Sequence, residues 1–520
     1  MRNHNLNARL LLALAVTATP ALAQFDFDLE KRTSARLGQS LDIDVVGAPP
    51  SSFALIIPSV SGGPTPLMLI DPVDPRVLAV GTDLLSVMTV AITDGAGGLN
   101  YSLALPNDPS LNGFELHWQS ATLRFAPTLI GEISNDVVTL TGIGDTGVVA
   151  PQTLVSPRAM GAILVDADNN NSQNDILITG GGAGTLTSAA GLASTELWDF
   201  RRMRSVPGPT MNSARALHSA VRLNDGRVLL VGGADATGAV LSTCEIYDPA
   251  TNSITTTGSM GTPRILHGAT VLNDGRVMVA GGTSTLQPDV VAAITGTLSS
   301  VEIYNPATGT WSNGAALSGR TLAPALTLLS TGKVMVSGGV SVTIFFGIPL
   351  GANSTTSVRL YDPANNSWTS GASMAQARAG HQYNQVTLND GRVLMTGGVN
   401  VPSLLNASIA APIGGAEVYN PTTNSWQTVN MPTVRALHSA TVLADGRVAA
   451  CGGAQGTLTV PVPIANVDVF DPTTNTWSSA PNLTAARGSH NAALMPDGTL
   501  LLLGGQGATV SFQTVETLRF

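Results

Sequence analysis

Seven arginines recur at intervals of about 50 to 60 residues along this chain. They are Arg158, Arg215, Arg264, Arg320, Arg378, Arg435 and Arg487. Guanidinium groups bind carboxylates and sulfates through two parallel hydrogen bonds, so a ring of these arginines could form an anion site. A residue that is copied into every repeat can also brace the fold, whereas a ligand site needs few residues and tends to break symmetry. We therefore favour a structural role for the arginines and keep ligand binding as the alternative.

Histidines follow five of these arginines at a distance of three residues. They are His218, His267, His381, His438 and His490. A set of histidines suggests a metal site, but zinc needs three or four ligands that converge on one ion at about 2 Å. One histidine per repeat places these side chains around a circumference and keeps them apart. We predict instead that they form hydrogen bonds between neighbouring repeats.

One loop is rich in the hard oxygen ligands that calcium prefers. Its candidate ligands are Asp166, Asp168, Asn170 and Asp175. Calcium takes six to eight oxygen ligands, and its best-known loop has a Gly at the sixth position and a Glu at the twelfth. Here the sixth residue is Asn171, and no Glu stands at the twelfth. Calcium is the one cofactor that the sequence suggests, and a lengthened hairpin is the alternative.

A repeated unit positions these residues, and its most regular feature is a Gly-Gly pair after an apolar stretch. The pairs begin at Gly180, Gly232, Gly281, Gly338, Gly397, Gly452 and Gly504. Asp-Gly dipeptides before most pairs predict tight hairpins, because glycine accepts a positive φ. An acid-x-aromatic triplet and then a Trp follow most pairs, as at Glu302 to Tyr304 and Trp311. This order predicts four short strands in each repeat.

The fixed order of Gly-Gly pair, triplet and Trp resembles the kelch repeat of β-propellers. The resemblance covers about 370 residues and implies a seven-bladed kelch-type β-propeller over residues 146–520. The last repeat ends at Phe520 after its third strand, so we expect a strand near 147–155 to close the ring. The repeats depart from the pattern in places: Arg359 replaces the acid of one triplet, Ile254 replaces a Trp, and Thr331-Gly332-Lys333 replaces an Asp-Gly-Arg hairpin.

Kelch propellers include copper-radical oxidases similar to galactose oxidase, whose site needs two Tyr, two His and a Cys joined to one Tyr. Four tyrosines of this chain occupy the same repeated position of the triplet: Tyr247, Tyr304, Tyr361 and Tyr419. Cys244 and Cys451 align with apolar strand positions of other repeats, so we predict two separate buried thiols. The resemblance therefore implies a galactose oxidase-like propeller without an evident copper site.

The N-terminal part of the chain lacks the repeat. Residues 1–23 resemble a secretory signal peptide, with Arg2 and Arg9 before a short apolar stretch and Ala21-Leu22-Ala23 as a cleavage site. Residues 24–145 alternate apolar and polar residues in short runs and predict a small β-sandwich. The whole chain is thus expected to be all-β. We expect an exported protein, periplasmic or extracellular, without membrane insertion.

The charge pattern excludes one class of partner, and the loops suggest another. Asp and Glu number 34 against 25 Lys and Arg, without basic runs, which excludes nucleic-acid binding. Long apolar loops follow the Gly-Gly pairs of three repeats, at 286–298, 342–352 with Phe345 and Phe346, and 399–413. These loops share one predicted face, where they could bind a protein or glycan, or pack on each other or on the N-terminal module. We favour a non-enzymatic binding or adhesion protein, and the alternative is a carbohydrate-acting exported enzyme with a site in the central channel.

Overall fold

The computed structural model of the chain describes most residues after position 26. The described ranges are 27–69, 74–81, 83–84, 88–123, 129–142, 148–159, 161–165, 176–183, 190–286, 290–346, 348–403, 409–457 and 459–520. The predicted signal peptide and the calcium-ligand candidates Asp166, Asp168, Asn170 and Asp175 lie outside the described residues. The described residues divide into two compact units, one within 27–30, Asp42–Tyr101 and His117–Val137, the other within Lys31–Leu41, Ser102–Leu116 and Val138–Phe520.

In the described residues before the repeats the structure has nine strands. They are β1 (Asp28–Lys31), β2 (Ser40–Val46), β3 (Phe53–Ser59), β4 (Gly62–Pro66), β5 (Val77–Val80), β6 (Thr89–Ile92), β7 (Leu99–Ala104), β8 (Glu115–Leu123) and β9 (Ile130–Leu140). Strands β6, β3, β8 and β9 form one sheet in that order, and β4 pairs with β5. Leu55, Leu78 and Ala121 pack in the core of the first unit. Short 3-10 helices lie at Leu67–Leu69 and Pro109–Leu111.

Seven four-stranded antiparallel sheets occupy the described part of the chain from Val148 to Arg519. Sheets 1 to 3 consist of β11 (Ala162–Val165), β12 (Ile176–Thr179), β15 (Thr195–Asp199) and β16 (Arg204–Pro207); β17 (Ser219–Arg222), β18 (Val228–Val231), β19 (Cys244–Asp248) and β20 (Ser253–Thr257); β21 (Gly268–Val271), β22 (Val277–Ala280), β23 (Val301–Asn305) and β24 (Thr310–Gly314). Sheets 4 to 6 consist of β26 (Ala325–Leu328), β27 (Val334–Ser337), β30 (Val358–Asp362) and β31 (Ser367–Ser370); β32 (Gln385–Thr387), β33 (Val393–Thr396), β36 (Ala416–Asn420) and β37 (Ser425–Thr428); β38 (Ser439–Val442), β39 (Val448–Cys451), β42 (Val467–Asp471) and β43 (Thr476–Ala480).

Sheet 7 combines strands from both ends of the repeat region. It consists of β44 (Asn491–Leu494), β45 (Thr499–Leu503), β46 (Thr514–Arg519) and β10 (Val148–Thr153). Strand β10 is antiparallel to β46, with Val148 opposite Thr517 and Val149 opposite Glu516. The first strands of the sheets lie side by side in the order β11, β17, β21, β26, β32, β38 and β44, and β44 lies next to β11. The seven sheets therefore form a closed ring.

The Gly-Gly pairs join each sheet to the next. The second glycine of each pair donates its N–H to a carbonyl at the start of the next repeat, over 2.8 to 3.3 Å. The donor and acceptor pairs are Gly181 and Arg215, Gly233 and Arg264, Gly282 and Thr321, Gly339 and Arg378, Gly398 and Arg435, Gly453 and Arg487, and Gly505 and Arg158. Gly232 has a φ of 60°, and a Cβ there would lie 2.4 Å from the carbonyl oxygen of Arg264. A side chain is thus excluded by both backbone conformation and space.

The loops between second and third strands carry small elements of their own. They are β13 (Gly182–Ala183) with β14 (Ala190–Gly191), α1 (Val290–Thr295), β28 (Val340–Phe345) with β29 (Ile348–Ser354), β34 (Val399–Asn400) with β35 (Ala411–Pro412), and β40 (Ala454–Gly456) with β41 (Pro461–Pro463). Strand β28 also pairs with β25 (Arg320–Leu322), which lies in the segment between β24 and β26. A further 3-10 helix covers Gln382–Asn384. Among the described residues, none forms a helix long and apolar enough to cross a lipid bilayer.

The packing of β10 gives a matched pair of variants. Val148 is buried, whereas its neighbour Val149 is largely exposed. We expect Val148→Asp to lower the free energy of unfolding by about 3 kcal/mol, because an unpaired carboxylate would be buried at a position of sheet 7 that is only 6% exposed. Val149→Asp should change it by less than about 1 kcal/mol. Urea unfolding of both full-length variants is the measurement, and equal midpoints for Val148→Asp and the natural chain would contradict the packing of β10.

Candidate functional site

Six of the seven arginines are buried braces within their sheets. Arg378 illustrates the geometry: its Nη2 donates to Glu417 Oε1 over 2.6 Å, and its Nη1 donates to the Gly397 carbonyl over 2.8 Å. Glu417 in turn accepts the N–H groups of Ala375 and Gln376 over 2.6 and 3.2 Å. The equivalent pairs are Arg158 and Glu196, Arg215 and Glu245, Arg264 and Glu302, Arg435 and Asp468, and Arg487 and Glu516.

These six guanidinium groups are not presented to solvent. Each is almost completely buried, and each donates to the carbonyl of the first glycine in its own Gly-Gly pair. Burial lowers the pKa of Arg264 and Arg378, and the facing glutamate opposes that shift. The arrangement favours a structural role for the arginines. The guanidinium N–H groups that would bind a ligand already bind the protein's own carboxylates and carbonyls.

The prediction that Arg320 belongs to this set is wrong. Thr321, one residue later, occupies the arginine position of its repeat, since its carbonyl accepts the N–H of Gly282. The side chain of Arg320 is exposed and donates to the carbonyl of Thr297. The carboxylate position of the same sheet holds Arg359, whose Nη1 lies 3.5 Å from Thr321 Oγ1. Sheet 4 therefore contains neither half of the usual pair.

The histidines form hydrogen bonds between neighbouring sheets, as the sequence predicts, except at one position. The Nε2 atoms of His218, His381, His438 and His490 lie 2.8 to 3.2 Å from hydroxyl groups of Thr179, Ser337, Thr396 and Ser439 respectively. Burial and the neighbouring arginines lower the pKa of His218, His381 and His490 to about 3. His267 has no hydrogen-bond partner on either ring nitrogen within the described residues. The equivalent of Thr179 in the preceding sheet is Val231, which offers no hydroxyl.

The residue types of a copper-radical site are present, but the described side chains do not assemble into one. Cys244 and Cys451 are separate buried thiols, as predicted, and burial raises their pKa to about 11 and about 12. Three tyrosine hydroxyls bind asparagine side chains in their own turns, as Tyr361 does with Asn366 over 2.8 Å. The fourth, that of Tyr304, lies 2.7 Å from Thr257 Oγ1. In the described part of the chain, no three His, Cys, Asp or Glu side chains lie close enough together to hold a metal ion.

A cavity of about 300 Å³ lies at the centre of the ring. Its wall consists mainly of small residues from the first strands, together with His218, His267, His438, His490 and Asn491. The described residues that line it include no Asp, Glu, Lys or Arg. The cavity is therefore neutral and suits an uncharged ligand or ordered water more than an ion.

The apolar loops pack on each other at their bases and are exposed at their tips. Ile294 of α1, Val342 of β28 and Val401 share one buried cluster, which joins the loops of sheets 3, 4 and 5. The tip of the β28–β29 hairpin projects from this cluster. Phe345 is 60% exposed and Phe346 is 89% exposed, and Ile348 and Leu350 beyond them are also exposed. The sequence singled out the two phenylalanines, but not Ile348 and Leu350, although their i, i+2 spacing places both on one face of a strand.

Comparison with known proteins agrees with this geometry. The Kelch motif family matches residues 264–318, which include Arg264, Glu302 and Trp311. The ring of sheets is a β-propeller that carries a Kelch motif. The predicted kelch resemblance and all-β fold are thus confirmed.

Relatives of the kelch propeller match parts of it. A galactose oxidase of Gibberella zeae is 31% identical over 121 residues, which are 23% of this chain and 16% of that protein. A putative F-box/kelch-repeat protein of Arabidopsis thaliana is 28% identical over 155 residues, 29% of this chain and 38% of the relative. The chain thus spans well under half the length of either. A copper-bound fungal alcohol oxidase of the AA5 family superposes with a TM-score of 0.52 at 17% identity, covering 72% of this chain and 75% of the oxidase, a likeness of fold.

Proposed function

We propose that this kelch propeller is an exported, non-enzymatic binding protein that docks a protein partner through the tip of the β28–β29 hairpin. The observation that carries the proposal is the exposure of Phe345, Phe346, Ile348 and Leu350 on one projecting hairpin. Exposure of four large apolar side chains to water is unfavourable, and a partner that covers them would gain binding free energy from their burial. Export rests on the signal-peptide pattern of residues 1–23.

The chemistry of the hairpin favours a protein over a glycan. Residues 345–350 offer Phe, Ile, Pro and Leu side chains without a hydroxyl, amide or charge. A glycan site combines an aromatic face with several hydrogen-bonding groups, because burying a sugar hydroxyl without a hydrogen bond is unfavourable. An apolar groove on a protein needs no such groups, and aromatic anchors commonly dominate the energy of such interfaces. Protein binding also agrees with the interactions that kelch repeats commonly mediate.

The hairpin proposal predicts a specific loss of binding. Fluorescently labelled full-length protein is applied to a peptide array and to a glycan array. We expect peptide binding that Phe345→Ser/Phe346→Ser weakens at least tenfold, because each buried aromatic anchor contributes about 2 kcal/mol or more. Phe53→Ser is the matched control, since Phe53 is 44% exposed and lies outside the hairpin. Binding confined to glycans, or equal peptide binding by both variants, would refute the proposal.

A carbohydrate-acting enzyme is the second candidate, and the neutral central cavity favours it. A cavity of about 300 Å³ is at the lower end of the range for small-ligand pockets, and His267 provides two unpaired ring nitrogens on its wall. One matching relative is a galactose oxidase. Copper uptake with a radical absorption spectrum and oxidation of galactose would establish this candidate and displace the first.

A further inference from the structure

The carboxylate of each regular brace binds more than its arginine. Glu196, Glu245, Glu302 and Glu417 each accept two consecutive backbone N–H groups just upstream of the arginine position. In sheet 3, for example, Glu302 accepts the N–H groups of Gly261 and Thr262 over 2.6 and 3.2 Å and the Nη2 of Arg264 over 2.6 Å. The brace is thus an anion site that the chain fills with its own carboxylate.

Sheet 4 keeps the donors of this site but lacks the carboxylate. Its equivalent N–H groups belong to Ser318 and Gly319, and neither has a hydrogen-bond acceptor within the described residues. Arg359 stands where the other sheets have the acid, and its one polar contact there is Thr321 Oγ1 at 3.5 Å. No carboxylate of the described chain lies within ion-pair distance of Arg359, and burial lowers its pKa without an acid to oppose the shift.

The charges around the brace position of sheet 4 favour binding of an anion. Gly319 lies beside the half-buried guanidinium group, since a Cβ there would be 3.8 Å from Arg359 Nη2, and the exposed side chain of Arg320 adds a second positive charge nearby. Adjacent backbone N–H groups and a guanidinium fork are the donors that bind carboxylates well elsewhere in proteins. The position is reachable, since Ser318 is exposed and a Cβ on Gly319 would lie 3.8 Å from Arg359 Nη2 without touching anything nearer.

We propose that the brace position of sheet 4, formed by the N–H groups of Ser318 and Gly319 and the guanidinium group of Arg359, binds a carboxylate from outside the propeller. The ligand takes the place that Glu417 occupies in sheet 5, with its oxygens shared between the two N–H groups and the guanidinium nitrogens. Its source is either a small free carboxylate or an acidic side chain of a protein partner.

The site lies close to the hairpin of the proposed docking surface. Arg320 of β25 pairs with Val342 of β28, and Phe345 follows three residues later, or about 10 Å along the strand. A protein partner on the hairpin could therefore also place an acidic side chain in the site. Only the binding of a partner's acidic side chain rests on the proposed function, because binding of a free carboxylate requires no contact with the hairpin.

The test compares thermal unfolding of the full-length protein in sodium acetate and in sodium chloride at equal ionic strength. We expect acetate at about 200 mM to raise the melting temperature saturably by about 2 °C or more, because a ligand that binds the folded state stabilises it. Arg359→Gln should abolish this rise. Arg204→Gln should retain it, because it removes an equally charged, exposed side chain from another sheet.

Rebuilding the regular brace gives a second, independent variant. Thr321→Arg/Arg359→Glu supplies the missing pair, so we expect it to melt no lower than the natural chain and to show no response to acetate. An unchanged melting temperature of the natural chain in acetate would overturn the proposal, as would an equal acetate response in the rebuilt variant. Phe345→Ser/Phe346→Ser should respond to acetate as the natural chain does, which separates this site from the hairpin.

The source of the carboxylate is distinguished by titration calorimetry with two short peptides, acetyl-Gly-Glu-Gly-amide and its Gln counterpart. Binding of the Glu peptide at least tenfold tighter than acetate, with loss in the Gln peptide, assigns the site to an acidic side chain of a partner. Equal affinity for acetate and the Glu peptide assigns it to small free carboxylates. Equal binding of the Glu and Gln peptides would overturn the assignment of a carboxylate.

Discussion

Acidification from pH 7.5 to 5 is expected to unfold most of this propeller. Burial and adjacent arginines hold the pKa of His218, His267, His381 and His490 at about 3, and the pKa of His438 is also lowered. In the unfolded chain these groups return to about 6.5. Between pH 6.5 and 3 the unfolded chain therefore binds more protons than the folded one, and stability falls as the pH falls through this window.

The magnitude follows from the number of histidines. Each loses about 1.4 kcal/mol per pH unit below 6.5, which is about 2 kcal/mol at pH 5. Five such groups together lose about 10 kcal/mol, which is comparable to the whole folding free energy of a typical domain. The measurement is urea unfolding at pH 7.5, 6.5, 5.5 and 5. An unfolding free energy that is the same at pH 7.5 and 5 would contradict the prediction.

His267 provides the matched variant for the acid effect. Its ring nitrogens have no hydrogen-bond partner, so His267→Leu removes a protonation site without breaking a bond. We expect the variant to lose about one fifth less stability on acidification than the natural chain, with little change at pH 7.5. Pro324 and Gly161 occupy the same position in sheets 4 and 1, so the fold accommodates other residues there.

Local repeated signals were enough to predict the strands and the kelch propeller. Asp-Gly hairpins and Gly-Gly pairs set the backbone conformation through interactions within a few residues. Their glycines predict a positive φ, which the structure shows at Gly226 and Gly233. The sequence predicts Arg320 at a position that belongs to Thr321, because the two residues are neighbours and no insertion marks the shift. The signal that resolves the register is a buried apolar residue four positions upstream, Met260 before Arg264 and Leu317 before Thr321.

The candidate sites were harder to predict because they depend on contacts between distant residues. The sequence shows that Arg359 replaces an acid, but its relation to Thr321 and to the N–H groups of Ser318 and Gly319 needs the three-dimensional register. The long apolar loops gave no sign of which side chains are buried, since Val342 packs in a core while Phe346, four residues later, is exposed. The composition of these loops is compatible both with buried and with exposed apolar side chains.

Glu417→Ala is expected to be among the most destabilising single substitutions in the propeller. Glu417 is completely buried, binds Arg378 over 2.6 Å and accepts two backbone N–H groups. Its removal leaves a buried guanidinium charge without a counter-ion, which costs about 3 to 5 kcal/mol. Asp274→Ala is the matched control, because the Asp274–Arg276 pair has a similar distance of 2.7 Å but is exposed, and it should cost less than about 1 kcal/mol.

Sheet 4, which has Thr321 and Arg359 in place of the arginine and the acid, suggests a second substitution that restores stability to the Glu417 variant. Arg378→Thr/Glu417→Arg copies the Thr321–Arg359 arrangement into sheet 5, so the charge moves to the position where sheet 4 tolerates it. We expect this double variant to be more stable than Glu417→Ala in urea unfolding, because its guanidinium group stands where sheet 4 keeps that of Arg359 half-buried beside a threonine hydroxyl, and to gain a response to acetate like that of sheet 4. A loss for Glu417→Ala no larger than that for Asp274→Ala would show that the buried brace contributes no more than an exposed ion pair. A double variant less stable than Glu417→Ala would show that the environment of Arg359 in sheet 4, and not the exchange of residues alone, makes the departure tolerable.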